Sequence, residues 1–188
     1  MHAPNCTPQD CLVYKTIHSA DVQASRRIKT VTVGPGGSDH DYVPFYFGYL
    51  SPMLLQLHTG RVQGYTEGQR PIIYMVSTAQ AVEESGTQFV FTNGHSLPAI
   101  TEQFDDLAKL DEVDWDVVYE RYWCDKPEDN DKQRRKQAEF LVYRFCNWSL
   151  VDSIAVIDQT MQETVEEIFQ SFPGTLRKPV HIKKEWYY

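Results

Sequence analysis

A single carboxylate, Glu139, lies inside the apolar run 138–143, whose composition predicts a β-strand. Burying a carboxylate is costly unless it is paired with a cation or used in chemistry. A glutamate in this setting can serve as a general base, and the basic stretch 132–136 comes directly before it. The run alone also allows a plainer interpretation, in which Glu139 faces solvent on an edge strand.

Two histidines follow predicted strands and are further candidates for a site. His18 comes after the apolar run 13–17, and His95 lies in the turn 92–96. Side chains at strand ends and in the loops beyond them often contribute to binding sites. Each histidine is equally compatible with a structural or an exposed loop residue.

Aromatic and basic residues offer contacts for a nucleic acid. The aromatics of 42–49 and Met53 can stack on a flat ring, although core packing is the default for most of them. The clusters 26–29 and 132–136 can bind phosphates or form a solvated face. The net charge of -8 does not exclude such a partner, because 102–131 alone holds twelve acidic and three basic residues. The acidity is local.

Several classes of protein lack their motifs in this chain. The glycines at 34–37 are not followed by the Lys-Ser/Thr of a P-loop, and no nucleophile elbow or His-Glu-x-x-His string occurs. The four cysteines have no CxxC spacing, so we expect free thiols and no metal site. No apolar run reaches the roughly 20 residues of a membrane span. We therefore expect a cytoplasmic protein without a membrane contact.

The predicted elements are those of one α+β domain, residues 1–188. Strands are predicted at 12–17, 42–47, 71–76, 88–92, 138–145, 153–157 and 180–187. Helical segments are predicted at 51–60, 78–84, 114–121 and 159–172. Because helices and strands do not alternate regularly, a doubly wound parallel sheet is disfavoured.

At this point the chain resembles a known family. The strings that carry the resemblance are His-Asp-Tyr-Val-Pro-Phe-Tyr-Phe at 40–47, Ser-Pro-Met-Leu at 51–54, His-Thr-Gly at 58–60, Phe-Thr-Asn-Gly-His at 91–95, Val-Asp-Trp at 113–115, Gln-Ala-Glu at 137–139 and Trp-Tyr-Tyr at 186–188. In this order they resemble the DarT family, bacterial toxins that ADP-ribosylate DNA. The resemblance covers nearly the whole chain.

The resemblance implies an ADP-ribosyltransferase-like fold, with two facing, mostly antiparallel sheets and flanking helices around an NAD cleft. It implies transfer of ADP-ribose from NAD to a base in single-stranded DNA, most often thymine. Glu139 matches the catalytic glutamate, which would hold the nicotinamide ribose and remove the ring proton of the base. Arg26 matches the arginine that engages NAD near the reacting bond, where its charge suits pyrophosphate and developing charge.

The same resemblance implies roles for other residues. His18, Thr16 and Tyr46, together with Arg26, are expected to bind NAD, while Met53 and His95 are expected to face the reaction centre or the target base. The segment 122–137 matches the acceptor-reading loop. Its expected DNA contacts are Tyr122 and Trp123 by stacking, and Arg134 and Arg135, with Lys136, by phosphate binding. No metal is implied.

One departure concerns the segment before Arg26. Only 19–25 separates His18 from this arginine, whereas the family carries a longer segment that covers NAD, so the covering segment around 19–29 is shortened. Two hypotheses follow: an active DNA ADP-ribosyltransferase toxin with a macrodomain antitoxin as partner, or a catalytically impaired relative that binds single-stranded nucleic acid or the antitoxin. The intact Glu139 favours the first, and the short segment favours the second.

Overall fold

The computed structural model describes residues 1–7 and 17–188. Within these residues the chain forms seven strands and six α-helices, an α+β architecture as predicted. The strands are β1 Tyr42–Tyr46, β2 Tyr74–Val76, β3 Phe89–Thr92, β4 Gln103–Phe104, β5 Glu139–Tyr143, β6 Ser153–Val156 and β7 Val180–Ile182. The α-helices are α1 Ala20–Ile28, α2 Pro52–His58, α3 Ala79–Glu84, α4 Trp115–Tyr119, α5 Lys132–Lys136 and α6 Gln159–Ser171. Short 3₁₀ helices lie at Pro4–Cys6, Asp39–Asp41, Leu107–Glu112, Trp148–Leu150 and Lys184–Trp186.

The first sheet has the strand order β1-β5-β3-β4, and all its pairs are antiparallel. β5 therefore lies between β1 and β3, which explains why nearly every position of β5 is buried. Pro44 cannot donate a ladder hydrogen bond, and it is accommodated in β1, the outermost strand of this sheet among the described residues. The register places Tyr46 opposite Glu139.

The second sheet has the order β2-β6-β7, with β2 antiparallel and β7 parallel to β6. Helix α6 covers it through Val165 and Phe169, which pack in one cluster with Ile154 and Val156 of β6. Met161, Val165 and Phe169, four residues apart, form the apolar stripe that packs on the sheet, whereas Ile168 and Phe172, which the sequence pattern also places on the apolar face, are 53% and 62% exposed. The largest cluster belongs to the first sheet and includes Phe91.

Capping residues set the start of several helices. Ser51 accepts a hydrogen bond from the backbone N–H of Leu54 at 3.2 Å, and Pro52 occupies the first turn of α2, as predicted. Asp158 caps α6 through the N–H of Met161. Both side chains satisfy backbone donors that have no partner within the helix.

Some predicted elements differ from the structure. The predicted strand 180–187 ends at Ile182, because the chain turns into the 3₁₀ helix Lys184–Trp186. Directly after this helix, the Tyr187 hydroxyl donates to the Ile72 carbonyl at 2.8 Å. Helix α1, helix α5 and strand β4 were not predicted; short or polar elements carry little periodicity. Residues 12–16 of the predicted first strand lie outside the described residues.

Candidate active site

Glu139 begins β5 and is buried, with only 2% of its surface exposed. Its backbone N–H donates to the Thr92 hydroxyl at 3.2 Å, and this hydroxyl donates to the Gly94 carbonyl at 2.7 Å. The hydrogen bonds tie the start of β5 to the turn after β3. The interpretation of Glu139 as a solvent-facing residue on an edge strand is therefore wrong.

Arg26 is the cation that pairs with Glu139. It lies in the last turn of α1, is 7% exposed, and donates through Nη1 to both carboxylate oxygens of Glu139 at 2.7 and 3.0 Å. Burial by itself lowers the pKa of Arg26, but the charges of Glu139 and Asp39 outweigh this and raise it. The guanidinium therefore stays charged inside the protein.

A second carboxylate, Asp39, lies on the other side of Arg26. Asp39 is 1% exposed, and its Oδ2 accepts a hydrogen bond of 2.5 Å from the Ser96 hydroxyl. The Arg26 Nη1 also donates to Ser96 at 3.3 Å. Burial raises the pKa of Asp39, while the charge of Arg26 opposes the rise. Sequence reasoning missed Asp39 and Ser96, because an isolated Asp or Ser in a polar segment gives no signal.

These residues border a cavity of about 300 Å³. It is formed by α1, by strands β1 and β5, by α2 and by the turn after β3. Its lining comprises Ile17, His18, Ser19, Val22, Gln23, Arg26, Pro44, Phe45, Tyr46, Pro52, Met53, Gln56, Val62, His95, Gln137 and Glu139. The predicted site residues Arg26, Glu139, His18, Tyr46, Met53 and His95 are thus brought together in one cavity. Thr16 lies outside the described residues.

His95 faces the cavity from the turn after β3. Its Nδ1 accepts a hydrogen bond from the Leu97 N–H at 3.3 Å, so in the neutral ring Nε2 carries the proton. Burial lowers the pKa of His95, and the charge of Arg26 lowers it further. A neutral His95 can donate a hydrogen bond from Nε2 without adding positive charge to the site.

Tyr46 stands opposite Glu139 on the neighbouring strand. Burial raises the pKa of the Tyr46 phenol, and the negative charge of Glu139 raises it further. The phenol therefore remains protonated and can donate a hydrogen bond to a ligand in the cavity.

The acceptor segment 122–137 lies apart from the cavity for most of its length. Tyr122 is 79% exposed, which leaves its ring free to stack on a base. Trp123 is only 7% exposed, and its Nε1 donates to the Tyr188 hydroxyl at 2.9 Å. As folded, the Trp123 ring is part of the interior and presents no open face.

The basic residues of α5 are paired within the protein. Arg134 donates to Asp131 through two nitrogens at 2.7 Å, and Arg135 pairs with Asp114 and Asp129. The local acidity of 102–131 therefore neutralises the bases that follow it. Neither arginine lines the cavity, and their contact with DNA stays a prediction.

The two lysines of the same helix, Lys132 and Lys136, are buried. Lys136 Nζ donates to the carbonyls of Val118 and Glu120 at 2.7 and 2.9 Å, and burial lowers its pKa to about 8. Lys132 pairs with the Glu120 carboxylate. These contacts attach helix α5 to the end of α4. The last residue of α5, Lys136, lies three residues before Glu139.

Within the described residues, no group of three or more His, Cys, Asp and Glu side chains is arranged to bind a metal ion. The cysteines of this part of the chain, Cys6, Cys124 and Cys146, are free thiols. None of the described helices is long and apolar enough to cross a membrane.

The chain is similar to known proteins over its full length. Residues 1–188 match the family described as DarT, ssDNA thymidine ADP-ribosyltransferase. A DNA ADP-ribosyl transferase of Thermus sp. (strain 2.9) is 43% identical over 174 residues, which are 93% of this chain and 81% of the relative. A relative from Escherichia coli O127:H6, also a DNA ADP-ribosyl transferase, is 35% identical over 84% of this chain and 72% of its own.

Solved structures show the same fold. Thermus sp. 2.9 DarT in complex with ADP-ribosylated ssDNA superposes with a TM-score of 0.93 at 40% identity, covering 100% of this chain and 87% of that chain. Thermus sp. 2.9 DarT in complex with NAD+ gives a TM-score of 0.88 at 39% identity, with the same coverage. The predicted fold class and family resemblance are both confirmed. The chain belongs to the DarT family of ssDNA thymidine ADP-ribosyltransferases.

Proposed function

We propose that this chain transfers ADP-ribose from NAD+ to thymidine in single-stranded DNA. The proposal is supported by the match of the whole chain to this family and by the Thermus relative, whose structures contain NAD+ or ADP-ribosylated ssDNA. The observation that carries it is the buried Arg26–Glu139 pair bordering the cavity, with Nη1 2.7 Å from Oε2. The site combines a carboxylate, a cation and room for a ligand.

The described residues fit NAD+ chemically. Two buried polar atoms, Nη2 of Arg26 and Oδ1 of Asp39, have no hydrogen-bond partner among residues 1–7 and 17–188, as expected of a site that is completed by a ligand. With Glu139 and Asp39 ionised, two carboxylates face one guanidinium, so the cluster carries a net negative charge. Such a cluster favours a cation beside it, which suits the positively charged nicotinamide ring.

NAD+ supplies the ADP-ribose group, and nicotinamide is the leaving group. Glu139 holds the nicotinamide ribose through its hydroxyl groups and takes the ring proton of the acceptor base, which makes the base nitrogen nucleophilic. The negative charge of Glu139 also stabilises the positive charge that develops on the ribose as the glycosidic bond breaks. Tyr46, from β1, and the neutral His95, from the turn after β3, supply hydrogen-bond donors to the cavity.

The remaining lining residues orient the two substrates. We infer that His18, on the exposed rim, contacts the nucleotide, and that Met53, from α2, faces the target base. The acceptor base has to be unpaired, because Watson–Crick pairing in a duplex occupies its ring nitrogen. We infer that Tyr122, exposed at the start of the acceptor segment, stacks on a neighbouring base.

The segment before Arg26 contributes to the cavity despite its length. Residues 17–19 and helix α1 line one wall of the cavity. The short segment therefore connects two lining residues, His18 before it and Arg26 after it. We infer that the whole chain is one ADP-ribosyltransferase domain with a shortened cover over NAD+, in keeping with its 87% coverage of the Thermus chain. A more open site favours reaction of NAD+ with water alongside transfer to DNA.

We further infer that the chain acts as a toxin in a toxin–antitoxin pair and that its partner is a macrodomain antitoxin able to remove the modification. Family membership supports this inference. Transfer of ADP-ribose to a base blocks its pairing edge, which explains why such an activity is toxic to a replicating cell.

The test is incubation with NAD+ and a randomised pool of single-stranded oligonucleotides, followed by mass spectrometry. We expect products heavier by one ADP-ribose on thymidine, and a Glu139→Gln loss of about 10²- to 10⁴-fold, the range for general-base catalysis. Glu163→Gln, on the exposed side of α6, is the matched control and retains activity. A pool without any mass increase contradicts the proposed function.

A further inference from the structure

Asp39 is a buried carboxylate without a role in the reaction proposed above. It begins the 3₁₀ helix Asp39–Asp41, and a capping box between Ser38 and Asp41 holds this turn in place. Its backbone N–H donates to the Lys29 carbonyl at 3.1 Å, and Ser96 donates to Oδ2 at 2.5 Å. The carboxylate is therefore fixed in the interior, although Oδ1 has no partner.

Arg26 lies between two carboxylates but hydrogen-bonds to only one of them. Its Nη1 makes both hydrogen bonds to Glu139, while Nη2 is 3.7 Å from Oδ2 of Asp39 and has no hydrogen-bond partner. A small rotation of the guanidinium brings Nη2 within hydrogen-bond distance of Asp39. Glu139 thus accepts the hydrogen bonds of Arg26 in this structure, and Asp39 is a second acceptor within 4 Å of the guanidinium.

Both carboxylate oxygens of Glu139 accept hydrogen bonds from Arg26, so the proposed reaction brings NAD+ into competition with this pair. The same oxygens have to accept hydrogen bonds from the ribose of NAD+. Releasing a buried guanidinium without a new partner is costly, and a neighbouring carboxylate removes most of that cost.

We propose that Asp39, locked by Ser96, is a positioning residue that receives the Arg26 guanidinium when NAD+ engages Glu139. This inference rests on the proposed function for its use of NAD+. The two carboxylates and the arginine form a relay of one cation between two anions. Binding of NAD+ shifts the cation from Glu139 to Asp39, and release of product returns it.

Burial raises the pKa of Asp39, which means that its ionised form is poorly stabilised while Arg26 faces Glu139. Transfer of the guanidinium supplies this missing stabilisation. Within the described residues, the charged and titratable groups around Asp39 are Arg26 and Lys29 from the α1 region, His40 and Tyr42 directly after Asp39, Glu139 from β5 and His95 from the turn after β3. Among these cations, Arg26 alone lies within 4.0 Å of Asp39 in the described part of the chain.

The test is a double-mutant cycle on nucleotide affinity, measured by titration calorimetry with carba-NAD+, so that no turnover is needed. We expect Asp39→Asn to weaken binding about 10-fold, within the range for residues of one network. In the Glu139→Gln background, where Arg26 is not held by an ionised partner, we expect the same substitution to change affinity less than about 2-fold. The non-additivity is the signature of the relay.

Three further variants complete the design. Ser96→Ala removes the hydrogen bond to Asp39 and is expected to weaken carba-NAD+ binding about 3-fold. Ser96→Thr keeps the hydroxyl and is expected to bind carba-NAD+ as the wild type does. Asp152→Asn, the same substitution at an exposed position just before β6 and outside the cavity lining, is the control and leaves affinity unchanged. Thermal unfolding of every variant verifies that it is folded. If Asp39→Asn does not fold, Ser96→Ala takes its place in the double-mutant cycle.

Equal weakening by Asp39→Asn in both backgrounds would show that Asp39 is only a structural support and overturns the inference. A wild-type chain that does not bind carba-NAD+ overturns it too. A chain that shows the non-additive binding but modifies no oligonucleotide contradicts the proposed function and leaves the relay standing. The two failures are therefore distinguishable.

Discussion

Arg26 Nη1 lies 2.7 Å from Glu139 Oε2, and the two residues are 113 positions apart in the chain. Both side chains are almost completely buried. A buried ion pair contributes little to stability by comparison with apolar residues of the same size, because desolvation offsets the attraction. Its presence at the border of the cavity is better explained by catalysis than by folding.

Arg26→Lys tests the geometric part of this pair. Lysine offers a single charged nitrogen and cannot place one nitrogen on Glu139 and a second one 3.7 Å from Asp39, as the guanidinium does. We expect KM for NAD+ to rise about 10-fold while the affinity for single-stranded oligonucleotides is unchanged. Arg27→Lys, at the exposed next position of α1, is the control. Equal effects on NAD+ and DNA would contradict the assignment of Arg26.

Gly94→Ala tests the turn that places His95. A Cβ at this position would lie 2.9 Å from the Arg134 carbonyl oxygen, which itself accepts a hydrogen bond from the His95 N–H. The backbone has to shift, and we expect a loss of about 1–3 kcal/mol in the free energy of unfolding, together with lower transferase activity. Denaturant unfolding measures it. Gly174→Ala meets no atom within 4 Å and should be neutral.

Tyr122→Ala tests the acceptor segment. Because Tyr122 is 79% exposed, its removal leaves the folded core intact, and the melting temperature should not change. Loss of one stacked base corresponds to about 1–3 kcal/mol, so we expect KM for the oligonucleotide to rise by roughly 5- to 150-fold. Phe172→Ala, at an equally exposed position after α6, is the control. An unchanged KM would remove Tyr122 from the DNA contacts.

Lys136→Met tests the attachment of α5 to α4 through its pH dependence. Burial lowers the pKa of Lys136 to about 8, from 10.5 in the unfolded chain. Between these values the unfolded chain binds a proton that the folded protein does not, so this residue makes stability increase with pH. We expect the wild type to gain up to about 3 kcal/mol over Lys136→Met as the pH rises through this window.

The comparison is made by urea unfolding at pH 7 and at pH 9.5 for both proteins, an interval that covers the lower part of the window and about 2 kcal/mol of the expected gain. Using the difference between wild type and variant cancels the titration of the other groups. A difference that stays constant with pH would mean that Lys136 is not desolvated in the folded protein.

Local patterns in the sequence predict much of this protein. Apolar runs of strand length, rich in β-branched and aromatic residues, identify β1, β3, β5 and β6, and Ser51 with Pro52 predicts the start of α2. These signals are local, because a cap or an alternating run acts through residues only a few positions apart. The unusual strings from 40 to 188 identify the family, and with it Glu139 and Arg26.

Tertiary structure decided the state of these residues. No local pattern shows that Ser96 contacts both Asp39 and Arg26, since these contacts join positions 57 and 70 residues apart. The bases of α5 show the opposite case: the sequence presents them as free cations, but folding pairs them with Asp114, Asp129 and Asp131. Charges are assigned by type in a sequence, whereas their availability depends on distances and burial that only the folded chain defines.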